Sequence, residues 1–303
     1  MKRNLLAVRH LDVDDIQYLL SLAQEYKDGL RHAGGNGPRR SIGLLFFENS
    51  TRTRVSFEQA CHKLGYVPVN FSGDGSSMSK GETLKDTILT LKHEQLDALV
   101  MRHRASGAAL LAAEYFSGPV INAGDGQHEH PTQALADAMT ILERKGQLED
   151  LIVAIVGDVR HSRVARSNAW LLSKLGAQVR YVGPNTLIPS DMSGMPGTVH
   201  YDLKAGLEEA DVVICLRLQR ERMSGPLVSS ASEYTKMYQV NRGSLRVAKP
   251  DVIVMHPGPM NRGIELDDAT ADGPQCTVHE QVHNGIYVRM ATMEWALGED
   301  GAA

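Results

Sequence analysis

Eight short apolar runs recur along this chain, several of them rich in β-branched residues, and amphipathic stretches lie between them. No other feature constrains the fold as tightly. The runs are 41–47 (SIGLLFF), 66–71 (YVPVNF), 97–101 (DALVM) and 119–122 (PVIN), then 151–156 (LIVAIV), 178–182 (QVRYV), 211–216 (DVVICL) and 252–255 (VIVM). Runs without alternation belong to strands buried on both faces, as in parallel sheets covered by helices. The segments between them have helical period: Phe57, Ala60, Cys61 and Leu64 form one stripe, Leu84, Ile88 and Leu91 another. The helix expected over 163–175 stops at Gly176. Strand and helix in alternation imply parallel sheets with helices on both faces. The 303 residues are enough for two domains of about 150 each. The reading is α/β, with two doubly wound parallel-sheet domains that divide within the helix expected over 132–146. Ligands in such sheets bind beyond the carboxyl ends of the strands, here in the cleft between the domains.

Hydrophobic content of 42% and charged content of 22% suit an ordinary globular protein. A net charge of −4 supplies no basic field, and no aromatic residues interleave with basic ones, so no nucleic-acid partner is expected. No apolar run approaches the ~18 residues of a membrane span. The opening MKRNLLAVRHLDVDDIQ lacks a signal peptide's apolar core, so a cytoplasmic location is expected. Cys61, Cys215 and Cys276 are odd in number and far apart, which argues against a disulfide framework or a CxxC site. Cys61 and Cys215 fall on apolar elements and read as core.

Strand ends carry the chemistry. After 41–47 comes Glu48-Asn49-Ser50-Thr51-Arg52-Thr53-Arg54, with Arg52 and Arg54 in the first turn of a helix. Cations are disfavoured there, because the dipole and the unpaired N–H groups make that end positive. One reading is a helix capped by Ser50 or Thr51 with solvated arginines. The other is an anion site, where hydroxyls, N–H groups and Arg52 converge on a phosphate. Arg54 fits either. Arg102-His103-Arg104 follows 97–101, and AGDGQHEHPTQ follows 119–122. His128 and His130 flank Glu129 and superficially suggest a metal site, but zinc sites need three or four ligands and no third stands out nearby, so no metal is expected. His130 reads instead as a donor to a substrate oxygen, with Gln133 one turn on; either could equally serve its own loop backbone.

In the second half, GDVRHSRVARSN follows 151–156 and again puts arginines, Arg160 and Arg163, at a helix start. Its glycines do not complete a dinucleotide fingerprint. After 211–216 comes RLQRER, where Arg217 and Gln219 share a face if the chain stays extended. After 252–255 comes HPGPMNRG, a rigid turn in which Gly258-Pro259 is a candidate cis bond. Arginines at strand ends in both halves imply a strongly anionic ligand. No covalent nucleophile motif is present, so catalysis would rest on positioning and charge stabilisation.

These motifs, STRTR, HPTQ, GDVRHSRVARSN, RLQRER and HPGPMNRG, together with MSKGETLKDT at 78–87, resemble the transcarbamoylase family and its aspartate carbamoyltransferases in particular. The resemblance runs from HLDVDDIQYLLSLA to NGIYVRMATMEWAL. The lysine before GET and the RLQ segment favour aspartate over ornithine, and ornithine enzymes carry Cys-Leu-Pro where this chain has Pro257-Gly258-Pro259. The resemblance implies carbamoyl transfer from carbamoyl phosphate to the α-amine of L-aspartate, an early step of pyrimidine synthesis, without covalent intermediate or cofactor. It implies that Ser50, Thr51, Arg52, Thr53 and Arg102 hold the phosphate. Thr53, Arg102 and His130 would polarise the carbonyl, while Gln133 and the backbone at Gly258 and Pro259 hold the amide. Arg163, Arg217 and Gln219 would bind aspartate. Ser76 and Lys80 would enter from a neighbouring subunit, so the family's homotrimer is expected. Glu48 would pair with Arg163 and Arg222, or else neutralise Arg52 or Arg54 nearby. Residues 1–131 with about 285–303 would bind carbamoyl phosphate, and 132–284 aspartate. The resemblance also admits a regulatory chain or a dihydroorotase as a further partner. Two alternatives remain at this level: a transcarbamoylase for another amino acceptor, and a non-catalytic ligand-binding homologue.

Overall fold

In the computed structural model of the chain, residues 3–32, 39–72, 81–219 and 230–298 are described. In chain order the elements are α1 (Val13–Lys27), β1 (Ser41–Phe46), α2 (Thr51–Leu64), β2 (Val67–Ser72), α3 (Leu84–His93), β3 (Ala98–His103), α4 (Ala108–Tyr115), β4 (Val120–Asp125) and α5 (Pro131–Lys145). Then follow β5 (Ile152–Val156), α6 (Arg163–Lys174), β6 (Gln178–Val182), β7 (Thr198–His200), α7 (Leu203–Leu207), β8 (Val212–Cys215), α8 (Ala231–Tyr238), β9 (Ile253–Met255), α9 (Asp268–Ala271) and α10 (Val278–Leu297). The chain forms two units, Met1–Ala136 with Val282–Ala303, and Asp137–Gln281.

Unit 1 holds a parallel sheet in the order β2-β1-β3-β4. The chain steps from β1 to β2 on one side, then crosses back to β3 on the other. The carboxyl ends of β1 and β3 therefore flank the point where the winding reverses, the place where such sheets generally bind ligands. Apolar side chains on the strands are buried because helices cover them: Leu45, Leu99 and Met101 pack with Ile88 of α3 and Ala108 and Ala112 of α4. The α2 stripe of Phe57, Ala60, Cys61 and Leu64 is buried as its spacing requires. Gly65 ends that helix in the left-handed region (φ 72°), with the Tyr66 N–H returning to the Cys61 carbonyl, a cap that a β-carbon would strain.

The end of α10 is tied to α1 in unit 1 by a buried polar triad. The Tyr26 hydroxyl donates to Glu294, and the Arg31 guanidinium donates to the same carboxylate from Nη2 and from Nε, the latter at 3.0 and 3.3 Å to its two oxygens. Burial, then the bond to Glu294, pushes the Tyr26 pKa well up, and the same carboxylate raises Arg31. Removing one member of a buried ion pair leaves the other uncompensated. Glu294→Ala is expected to lower unfolding stability by about 3 kcal/mol in urea titrations, since Arg31 can relax only in part towards Glu25, 4.0 Å away. A change under about 1 kcal/mol would mean that the triad behaves like an exposed pair.

Unit 2 holds a parallel sheet in the order β7-β6-β5-β8-β9. Its winding reverses between β5 and β8. Gly157 ends β5 with φ 125°, and a β-carbon there would meet the Leu216 carbonyl oxygen at 2.8 Å, so only glycine lets the two strand ends approach. Val156, Val182, Val213, Cys215, Tyr234 and Leu266 belong to the unit's core. All eight expected strands are present. β7 is a ninth, missed because it is a three-residue edge strand, half-exposed and without an apolar run.

Candidate active site

In unit 1 the candidate site begins with α2. Ser50 stands at its N-cap in extended conformation (φ −160°, ψ 94°), yet its hydroxyl makes no capping bond. Asp12, Thr83, Ser162, Asp202, Ser230 and Asp267 all cap their own helices through the side chain. In α2 the N–H groups of Thr51, Arg52 and Thr53 are thus left without intrahelical partners. Thr53 is buried and Arg52 exposed. Enough protein surrounds the Arg52 guanidinium for desolvation to lower its pKa, and no acid among the described residues counters that. An uncapped helix start with an arginine on its first turn leaves N–H donors and a cation side by side, an arrangement that can receive an anion.

Arg102, next to last in β3, pairs with Phe46 of β1. Its Nη1 donates to the Ala123 carbonyl at 3.1 Å, and its Nε lies 3.5 Å from Glu48. Glu48 therefore pairs with Arg102, a partner that neither sequence expectation named. His103 turns away from basic chemistry: its Nδ1 accepts from the Ala105 N–H at 2.9 Å, and burial lowers its pKa. His130 is buried, and its carbonyl receives the first bonds of α5, from Gln133 and Ala134. Gln133 is half-buried on the first turn.

In unit 2, Ser162 caps α6 and the following Arg163 is 5% exposed. Beyond β8, Leu218 is buried in the core while Arg217 and Gln219 are half-buried, so the expected alternation holds. Beyond β9, Gly258-Pro259 is cis. The Gly258 N–H donates to His256 Nδ1 at 2.8 Å, and prolines have none, so the turn 257–259 offers carbonyl acceptors only. Ser76, Lys80 and Arg222 lie outside the described residues.

Sequence reasoning overlooked a device that both units use. Gly124-Asp125 and Gly157-Asp158 each end a strand with a positive-φ glycine followed by a buried aspartate, and each aspartate binds a histidine three residues on. Asp125 accepts from Asn122 Nδ2 (2.7 Å), the Gly107 N–H (2.7 Å) and the Glu129 N–H (3.2 Å), and lies 3.1 Å from His128 Nδ1. Burial would raise the Asp125 pKa, but the bonds from His128, Asn122 and Gly107 outweigh it and lower it; that bond to Asp125 raises His128. His128 and Glu129 are thus engaged in loop structure, with Glu129 accepting the Val8 N–H. Asp158 accepts from His161 Nδ1 at 2.8 Å and from the Gln219 N–H at 3.3 Å, joining the β5 and β8 ends where Arg163 and Arg217 stand. The repeated pattern G-D-x-x-H at 124–128 and 157–161 was the available signal.

The unit 1 edge can thus bind an anion at α2 and hydrogen-bond a neighbouring oxygen. The unit 2 edge can bind carboxylates and accept from an amide. The sequence model described as aspartate/ornithine carbamoyltransferase, carbamoyl-P binding domain, matches residues 3–143, and the Asp/Orn binding domain of the same family matches 149–296. The aspartate carbamoyltransferase catalytic subunit of Rhodopseudomonas palustris is 52% identical over 295 residues, covering 96% of this chain and 93% of its own. That of Brucella anthropi is 51% identical over 303 residues, covering 97% and 92%. Among solved structures, aspartate transcarbamoylase from Trypanosoma cruzi with N-(phosphonacetyl)-L-aspartic acid superposes with a TM-score of 0.85 at 33% identity, covering 96% and 95%. Ornithine carbamoyltransferase from Pyrococcus furiosus gives 0.86 at 30%, covering 98% and 97%. Both halves of the sequence and both sheets agree: the chain belongs to the aspartate/ornithine carbamoyltransferase family.

Proposed function

We propose that this chain transfers the carbamoyl group of carbamoyl phosphate to the α-amine of L-aspartate, releasing N-carbamoyl-L-aspartate and phosphate for pyrimidine synthesis. The observation that carries the choice of acceptor is the 52% identity, over 96% of the chain, with proteins named for aspartate. A Trypanosoma cruzi relative at 33% identity has been solved with carbamoyl aspartate and phosphate.

Unit 1 is the carbamoyl-phosphate half and unit 2 the aspartate half. Ser50, Thr51, Arg52, Thr53 and Arg102 hold the phosphate on the N–H groups of α2 and two guanidiniums. The deprotonated amine attacks the carbamoyl carbon, and the negative charge that builds on its oxygen is met by Thr53, Arg102 and His130. The carbonyls of the 257–259 turn and the Gln133 amide orient the carbamoyl nitrogen. Arg163, Arg217 and Gln219 bind the carboxylates of aspartate, with the Asp158 bond to the Gln219 backbone fixing their register. As the carbon–oxygen bond breaks, the leaving phosphate is already paired with cations.

Ser76 and Lys80 complete the site from a neighbouring chain of a cytoplasmic homotrimer. The edge strand β2, which leads directly into their segment, exposes Val67 and Val69 at 38% and 41%. A sheet edge is a template on which another chain can pair.

Phosphate release should require both carbamoyl phosphate and L-aspartate, and ornithine or N-acetylated amino acids should not replace aspartate. Turnover with ornithine and none with aspartate would reverse the acceptor. Tight binding of N-(phosphonacetyl)-L-aspartate without any turnover would make the chain a binding homologue.

A further inference from the structure

A directional chain of buried hydrogen bonds runs through unit 2 and reaches the turn at Gly258. It begins on α6, where Asn168 Nδ2 donates to Asp137 Oδ2 at 2.7 Å. Gln281 Nε2, on α10, donates to Asp137 Oδ1 at 2.7 Å. Gln281 Oε1 accepts the His256 N–H at 3.0 Å. His256 Nδ1 accepts the Gly258 N–H at 2.8 Å, which leaves its Nε2 proton directed at Glu265 Oε1, 3.2 Å away. The same Glu265 oxygen accepts the Asn261 N–H at 2.5 Å and so closes the turn after β9. Asn168, Asp137, Gln281, His256 and Glu265 are each no more than 3% exposed. Asp137 and Gln281 are also the first and last residues of the unit.

A buried carboxylate costs free energy that an apolar side chain of the same volume would not. What this one contributes is direction. Because Asp137 can only accept, Gln281 must present its amide nitrogen to it and its oxygen to His256. That choice, with Gly258 donating to the ring, leaves every later member one orientation. We propose that Asp137 is a positioning residue for the reaction: it holds α5, α6, α10 and the 257–259 turn in one register, so that the turn's carbonyls stand where the carbamoyl nitrogen needs them. This rests on the carbamoyl-transfer reading, and Asp137 itself touches no reactant.

The test uses the polarity of the chain. Asp137→Asn sets an amide NH2 against the NH2 of Gln281 or Asn168, and Gln281→Glu sets carboxylate against carboxylate. The double variant Asp137→Asn/Gln281→Glu reverses the bond and restores both partners with no change in net charge. At a temperature where all are folded, each single variant is expected to lose about 10- to 100-fold in kcat, as a misplacement near 1 Å does. Inhibition by inorganic phosphate, which probes the proposed phosphate site of unit 1, should stay within about twofold, and the double variant should recover to within about threefold of wild type. A merely structural role would shift melting temperature without this split between kcat and phosphate binding. Full kcat in Asp137→Asn, or a folded double variant no faster than the singles, overturns the proposal. If Asp137→Asn does not fold, Asn168→Ala, which keeps the bond to Gln281, is expected to lower kcat about threefold with phosphate inhibition intact, and an unchanged kcat counts against it. Wild-type protein that releases no phosphate from the two substrates rejects the reaction assignment. An active wild type with an indifferent Asp137 rejects the positioning role alone.

Discussion

Arg52→Ala is expected to lower kcat/KM for carbamoyl phosphate by about 10² to 10³ and, at the same time, to leave the protein as stable as before or slightly more so. The two effects have one cause. Arg52 stands on the first turn of α2, where the helix end is positive, and no carboxylate among the described residues offsets it. Without ligand its charge opposes the dipole by about 0.3 to 1 kcal/mol. With a phosphate dianion on the first-turn N–H groups, the same charge becomes attractive, and the leaving group is stabilised as it departs. Arg52→Lys should fall between, because a point charge cannot give the planar two-bond contact. Phosphate-release kinetics and thermal melts read both quantities on the same samples. A variant that keeps wild-type rate, or that loses stability while keeping phosphate affinity, would place Arg52 in the scaffold instead.

The balance between what the residues announce and what they hide has physical causes. Strands buried on both faces must be apolar throughout, so β1, β5, β8 and β9 could be found by composition alone, whereas β7 satisfies its backbone at a sheet edge with Thr198 and His200 and leaves no such trace. Arginines at strand ends are legible because cations are costly there without a reason. The state of Ser50 is not legible. Serine is an ideal cap, and only the geometry reveals that its hydroxyl is unused. Likewise the run Arg102-His103-Arg104 looks uniformly basic until His103 is found accepting a backbone N–H. Asp137, Gln281 and His256 are joined across sequence separations of 144 and 25 residues, and no local pattern records a bond that exists only after the sheet is wound. Asp125 and Asp158 are the instructive middle case. Each lies beside its histidine in sequence, and the repeat was there to be compared once strand ends were aligned.

Mixing two dead proteins should restore activity. Lys80→Ala and Arg52→Ala chains each carry one lesion, so a site built from a single chain stays broken in every mixture. A site that takes Arg52 from one chain and Lys80 from its neighbour behaves differently. In a closed ring of three, equal mixing makes each chain Lys80→Ala in half of the cases and its donor neighbour Arg52→Ala in half, independently. About a quarter of all sites then receive both intact cations, and activity should rise from near zero to about a quarter of wild type. The prediction follows from charge as much as from symmetry. Arg102 shares its field with Glu48 3.5 Å away, which weakens its hold on a leaving phosphate dianion. A lysine arriving from a neighbouring chain would add positive charge only in the assembled state, and the isolated chain would then be inactive. Exchange would be verified by mass-tagging one variant and sizing the mixture. Confirmed exchange with no recovery would return Lys80 to its own chain and remove the reason for a shared site. Recovery well above a quarter would mean that the ring sorts its chains or that one lesion is only partial.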